Sequence, residues 1–210
     1  MKRIDNADID NRILDEAIAE SYECGLSKIS TKTIASRLNI SEPVIFTHFH
    51  TKKNLISSCY PRAWKMMDTM LEYFPKKPWN EISSSDIYDS LEPFVSLILS
   101  KPKELSFLAQ YGARRYIYGD KIVIKSQASL REYALGVVKV AYGVAPDNFD
   151  DVLDGFFQVI VTNLSLFSRV PEFSTERAKR FLSNFILFGY KRSFQIDMIH
   201  YGKDAKWDAI

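Results

Sequence analysis

The chain has 210 residues, 28 Lys and Arg against 26 Asp and Glu, and a formal net charge of +2. At 46% hydrophobic, 26% charged and 13% aromatic it is an ordinary folding sequence, which excludes disordered, collagen-like and disulfide-dense classes. The near-neutral balance also excludes a polycation that coats nucleic acid through net charge. Any nucleic-acid role must therefore rest on local charge placement.

The N-terminal MKRIDNADIDNRILDE lacks the apolar core of a signal peptide, and no apolar run reaches the ~20 residues of a membrane span. A soluble, cytoplasmic protein with no membrane partner is expected. Cys24 and Cys59 are the two cysteines, no CxxC occurs, and the histidines number three. Two reduced thiols packed on helices are expected, with no disulfide framework, no metal site and no cofactor.

Helical periodicity dominates, and no stretch sustains the alternation of a half-buried strand. A first helix is predicted from about Asp8, with Ile13, Leu14, Ala17, Ile18 and Tyr22 on one side, to a stop at Gly25. Ser30 or Thr31 can cap a short second helix bearing Ile34, Ala35 and Leu38, which ends at Asn39. Ser41 can cap a third with Ile45 and Phe49, and Thr51 a long fourth through Leu55, Ile56, Trp64, Met67 and Leu71 to about Tyr73. Two prolines and a serine cluster make 75–86 a loop. Further helical patterns cover 86–100, 103–118 and 120–143, then, after a turn at 145–150, 150–170 and 174–199. The predicted fold is all-α with about nine helices. A head over residues 1–50 precedes a larger helical body over 51–210.

Residues 31–49 place two short helices around a tight turn, the pattern of a helix-turn-helix. Ala35 stands where the helices cross, so a small side chain is needed, and Ile34, Leu38, Ile40 and Ile45 fill the wedge beneath. Asn39 occupies the turn, where asparagine substitutes best for glycine in left-handed backbone. Pro43 falls in the first turn of the third helix, where its missing N–H costs little. The two helices alone are also compatible with a plain helical hairpin. Against that, the fourth helix opens Thr51-Lys52-Lys53, two cations at the helix end that already carries positive dipole charge. This arrangement suits a docked anion such as a phosphate. Residues 5–23 hold seven acids and one base, whereas residues 24–53 hold five bases (Lys28, Lys32, Arg37, Lys52, Lys53) and one acid, Glu42. The bases are expected around the helix-turn-helix and the acids on the first helix.

From Arg12, Ile13 and Leu14 through Ala17 and Gly25, then Ile34-Ala35, Ile40-Ser41, Ile45-Phe46, His48-Phe49 and Lys52 with Leu55, the sequence resembles the DNA-binding domain of TetR-family transcriptional regulators. The resemblance covers about residues 8–56. It implies a homodimeric repressor or activator, a repressor first, that reads a palindromic double-stranded operator and answers an unidentified small-molecule effector bound in the body. The third helix then becomes the recognition helix. Glu42, Pro43, Val44 and Thr47 would face base edges, Thr31 and Lys32 would open the second helix at the DNA, and Phe46, His48 and Lys52 would lie at the backbone. Two departures stand out. The family usually has Tyr at Phe46, so a hydroxyl contact to phosphate is missing and packing alone is an open role for that position, and Lys or Gln is commoner at Glu42, where an acid lowers non-specific affinity and can repel wrong sequences. His48 and His50, two apart on a helix, point away from each other and do not suit a metal.

In the body, 152–170 and 181–190 are apolar on nearly every side, so both helices are either central in the core or shared between the core and a partner. The resemblance favours a homodimer through the helices near 150–170 and 174–199, with Gly155, Ser183 and Gly189 permitting close approach. Trp64, Met67, Phe107, Tyr111 and Tyr116 are candidate effector contacts, with Phe94, Tyr118 and Tyr133 beside them. Aromatic residues at helical spacing equally describe plain core. Arg114-Arg115 suits either an acidic ligand or a solvated face. No GxSxG, phosphate loop or HExxH occurs, so no catalytic residue is assigned and no enzyme is expected. The competing function is a helical adaptor or small-molecule-binding protein without DNA affinity, in which the Lys52-Lys53 helix start has no purpose.

Overall fold

The computed structural model describes residues 6–73, 81, 84–142, 147–170 and 175–184, which form α-helices with no strand among them. In chain order these are α1 (Asn6–Cys24), α2 (Thr31–Leu38), α3 (Glu42–Phe49), α4 (Lys52–Asp68), α5 (Met70–Tyr73), α6 (Ser84–Leu99), α7 (Pro102–Gly112), α8 (Arg115–Tyr118), α9 (Asp120–Ser126), α10 (Ala128–Tyr142), α11 (Phe149–Phe167) and α12 (Thr175–Asn184). A 3-10 turn at Leu26–Lys28 follows α1. No helix among the described residues is long and apolar enough to cross a membrane.

The head forms because three short amphipathic helices have one apolar face each and only one another, with α4, to bury it against. Ile13, Ala17 and Ile18 of α1 meet Ile34 and Ala35 of α2, Ile45 and Phe49 of α3, and Leu55 and Ile56 of α4, all buried. Each large aliphatic side chain contributes about 2 kcal/mol by the apolar area it removes from water. The same core continues without interruption along α4, through Tyr60, Ala63, Trp64 and Met67, into α6, α7 and α11. Within the body α11 packs chiefly on α7 and α12 on α6, while α1 packs on both α4 and α7.

Polar contacts also join head to body. Gln110 of α7 accepts the Leu26 N–H at 2.7 Å through Oε1 and donates to the Ser21 carbonyl at 3.3 Å through Nε2. The Arg169 guanidinium lies 4.5 Å over the Tyr22 ring and donates to Ser106 Oγ at 2.6 Å.

Three expected helices are interrupted, which turns nine into twelve among the described residues. The long fourth helix breaks at Thr69, whose hydroxyl donates to the Met66 carbonyl at 2.5 Å before α5 resumes. The pattern over 103–118 breaks after Gly112, and that over 120–143 breaks at Gln127. Gly119, between α8 and α9, has φ 132°, a conformation open to glycine and strained for any side chain. Apolar periodicity runs across each break because the segments on both sides face the same core. The loop expected at 75–86 lies mostly outside the described residues, and α6 begins within its expected span, at Ser84. Of the helix expected over 174–199, only Thr175–Asn184 is described; Gly189 and the Ser183 side chain lie outside.

Candidate nucleic-acid interface and effector cavity

The geometry of α2 and α3 follows from a few local choices. Ser30, in extended backbone, caps α2 by accepting the Thr33 N–H at 3.2 Å. Asn39 ends it in the left-handed region (φ 55°, ψ 45°), and the Ile40 N–H bonds the Ala35 carbonyl at 3.0 Å. Ser41 then occupies the cap position of α3, but its side chain makes no capping bond, contrary to expectation. Pro43 sits in the first turn, where no donor is missed. Thr51 caps α4 by accepting the Asn54 N–H at 3.0 Å.

Ile45 and Phe49 turn α3 inward, which leaves Pro43, Phe46, Thr47 and His50 exposed at i, i+3, i+4 and i+7 along one outer face. Val44 is half-buried at the edge of that face. Phe46 is 39% exposed, so it lies on this outer face and is not confined to packing. The Thr47 hydroxyl donates to the Pro43 carbonyl at 3.0 Å, leaving its methyl group and lone pairs outward. Lys32 on α2 and Lys52 and Lys53 on α4 are exposed, and among the described residues none of them is held in an ion pair. Two candidates differ from the rest. Thr31 is buried, and its hydroxyl donates to Glu42 Oε1 at 2.5 Å, tying that carboxylate back to the start of α2. His48 is half-buried with Nδ1 2.5 Å from Asp10 Oδ1 on α1.

The charge segregation seen along the chain becomes partly internal pairing. Arg37 binds Glu16 at 2.9 Å and Glu23 at 2.7 Å, so this base serves α1 and not an external anion. These two contacts hold the guanidinium firmly protonated, Glu23 first and Glu16 second. Arg62 of α4, outside the segments counted, engages Asp15 at 2.5 Å. Glu20 is buried and accepts the Ser30 N–H at 3.2 Å; burial raises its pKa and that hydrogen bond partly offsets the rise. Net positive charge near α3 thus falls to the lysines.

Both cysteines are free. Cys59 is buried, and burial pushes its thiol pKa well above the ordinary value, which suppresses thiolate chemistry. No group of three His, Cys, Asp or Glu side chains among the described residues is placed to hold a metal ion.

Of the proposed effector contacts, Trp64 lines a cavity in the body, while Met67, Phe107 and Tyr111 are buried in the core and do not line it. Tyr116 is 81% exposed and does not line it either. The cavity has a volume of about 20 Å³, room for roughly one water. Its aromatic wall is Tyr60, stacked on Trp64 with centroids 5.9 Å apart, and Phe157, edge-on to Trp64 at 5.3 Å. Its polar wall is Arg115, Gln127, Asp154 and Gln158. Gln127 Nε2 donates to Tyr60 Oη at 3.0 Å, and burial raises the Tyr60 pKa, keeping the phenol neutral. Gln158 Nε2 donates to the Ala109 carbonyl and to Thr162 Oγ1, both at 3.1 Å. Gly112 admits this approach, because a Cβ there would lie 1.7 Å from Gln158 Oε1. Tyr60, Gln127, Asp154 and Gln158 were not among the expected contacts. The available signal was polar: Asp154, Gln158 and Thr162 recur every four residues along one face of α11.

Residues 13–59 match the family model described as bacterial regulatory proteins, tetR family. No curated protein matches the sequence. Solved structures of similar fold include a TetR-like transcriptional regulator from Rhodococcus sp. RHA1, 17% identical, with 90% of this chain and 99% of that chain covered and a TM-score of 0.63. The multidrug binding protein EbrR, complexed with imidazole, is 17% identical with 86% and 90% covered and a TM-score of 0.55. TetR from Acinetobacter baumannii AYE in complex with minocycline is 15% identical with 91% and 98% covered and a TM-score of 0.53. Over residues 13–59 the head of this chain is thus similar to the tetR family of bacterial regulatory proteins, and the chain as a whole has the fold of the solved TetR-like transcriptional regulators.

Proposed function

We propose that the protein is a ligand-responsive transcriptional repressor that binds a palindromic DNA operator as a cytoplasmic homodimer. The observation that carries this reading is the outer face of α3, with Pro43, Phe46 and Thr47 exposed between the exposed lysines of α2 and α4. Pro43 and Phe46 offer apolar contact to thymine methyl groups, and Thr47 offers a hydroxyl to either base type. Lys32, Lys52 and Lys53 supply phosphate contacts that set register without reading sequence. Glu42, held by Thr31, presents its carboxylate at a fixed angle, a discriminating acceptor for a cytosine amino group.

Dimerisation is supported by α11, where Gly155, Val159 and Leu166 lie outward, Val159 39% and Leu166 58% exposed, and by Val170, 50% exposed just beyond the end of that helix. An apolar stripe of this kind on a helix already packed through its opposite face suits a symmetry mate. Effector binding is supported by the cavity between α4, α7, α9 and α11, and the structural relatives bound to imidazole and minocycline are in keeping with it.

The test is DNase protection of the region upstream of the protein's own coding sequence at low salt. Site-selective protection is expected. Lys52→Ala should weaken binding to all sequences and reduce the salt slope by about 2, one for each protomer of the dimer, whereas Thr47→Ala should alter base preference at one position per half-site. Complete absence of site-selective protection would return the chain to the adaptor class.

A further inference from the structure

We infer that the outer face of α3 reads the C5-methyl groups of thymines and makes no bidentate contact to a purine. This deepens the reading of the head as an operator-binding unit and rests on it. In the major groove guanine shows N7 and O6 acceptors, and adenine an N7 acceptor beside its N6 amino group. The side chains that grip two such atoms at once are Arg, Lys, Asn and Gln, and α3, EPVIFTHF, contains none of them. Its carboxylate, Glu42, is an acceptor, and Thr31 already donates to Oε1 at 2.5 Å. Thr47 turns its hydroxyl hydrogen back to the Pro43 carbonyl at 3.0 Å. His48 is half-buried with Nδ1 2.5 Å from Asp10, and His50 lies past the C-terminal end of the helix. Ser41, ahead of the helix, keeps a rotatable hydroxyl that serves either base type. Arg37 of α2 is taken up by Glu16 and Glu23.

What α3 does present is apolar. Pro43, Phe46 and the Thr47 methyl group lie together at i, i+3 and i+4, with Phe46 39% exposed and Val44 at the edge. At a rise of about 1.5 Å per residue this patch runs about 6 Å along the helix, roughly two base-pair steps of the groove it enters. Thymine is the base whose major-groove edge carries a methyl group, and cytosine offers an amino donor that suits Glu42. The half-site that fits is therefore a short run of T·A pairs beside a cytosine at the Glu42 end. Covering Phe46 with those methyl groups removes apolar surface of both partners from water, which makes it the specificity-determining residue of the face.

The test uses the full chain and a duplex spanning the upstream region that it protects, with affinity read by fluorescence anisotropy. Uracil in place of thymine removes the methyl group alone. Introduced at each thymine in turn, in both half-sites together, it should weaken binding about tenfold at the positions that α3 covers. Changing such a T·A pair to C·G should also weaken binding, and 5-methylation of the new cytosine should recover part of the loss. A 7-deazapurine, which lacks N7, at the same pairs should change affinity by less than about twofold. Phe46→Ala, with its fold checked by circular dichroism, should bind the thymine and uracil duplexes equally at one or more of these positions. Lys52→Ala should weaken both in the same ratio. Indifference to uracil at every position, a larger loss from the 7-deazapurines than from uracil, or Phe46→Ala that preserves every uracil effect overturns the inference and leaves the regulator reading standing. Absence of site-selective protection by the wild-type protein removes both.

Discussion

Asn39 carries the turn of the helix-turn-helix in left-handed backbone, a conformation that disfavours every residue with a Cβ except those whose side chains bond locally. Asn39→Gly should leave the melting midpoint unchanged or higher, and Asn39→Ala should lower stability by about 1 kcal/mol in urea unfolding. Glu20 makes a second residue-level case. Its ordinary value is 4.5 and burial raises it in the folded state, so the native protein binds a proton that the unfolded chain has released. Stability contributed by this group is full at low pH and falls as pH rises through the interval between the two values. Glu20→Gln retains an acceptor for the Ser30 N–H and removes the charge, so its melting midpoint should gain on wild type from pH 4 to pH 7. A gain confined to acid pH would contradict that sign. Asn39 was legible from the sequence because backbone preference is local. The Thr31 to Glu42 bond was not, since it joins residues eleven apart whose approach depends on how α2 crosses α3.

At the scale of elements, α4 is the member shared by head and body, and it contains Pro61. Proline there removes the N–H that would bond the Ser57 carbonyl one turn earlier; separately, the Ser57 hydroxyl donates to the Tyr118 carbonyl of α8 at 2.7 Å. Pro61 is exposed, so replacing it disturbs little packing. Pro61→Ala should stabilise the protein by up to about 3 kcal/mol in denaturant titration, with unchanged core fluorescence. The first three helices and the start of the fourth were readable almost to the residue, because caps and stops mark them: Gly25, Ser30, Asn39 and Thr51. The breaks at Thr69, Gly112 and Gln127 were not, since both sides of each break contribute to one continuous apolar face.

For the whole molecule, the expected dimer places the outer stripe of α11 against its copy. Leu166→Glu introduces two charges into that interface and should raise the dimer dissociation constant by about 100-fold or more, read by sedimentation velocity. Operator affinity should fall in parallel, since two heads joined by an interface bind at high effective concentration. A dimer of unchanged strength would move the interface elsewhere. The near-neutral total charge also has its explanation at this scale. The first helix carries the acids that hold Arg37, Arg62 and His48, so positive charge remains on the lysines flanking α3 and little accumulates elsewhere on the head.

By itself the sequence determined the helical class, the helix-turn-helix and the family likeness of the head, because caps, turn residues and apolar spacing act within a few residues of one another. It also exposed the opposition of acids to bases near the N-terminus. Which of those bases remain outward was decided by tertiary structure, through ion pairs between α1, α2 and α4. The same holds for the effector cavity. Aromatic residues were too numerous to choose among, and four of the five expected contacts lie outside the cavity. Its polar wall is assembled from α8, the α9–α10 turn and α11, segments remote in sequence that meet only when α11 packs on α7 and α9 on α4. Burial then gives the Arg131–Asp154 pair an importance that charge type alone does not confer, because the same ions on a solvated surface interact weakly.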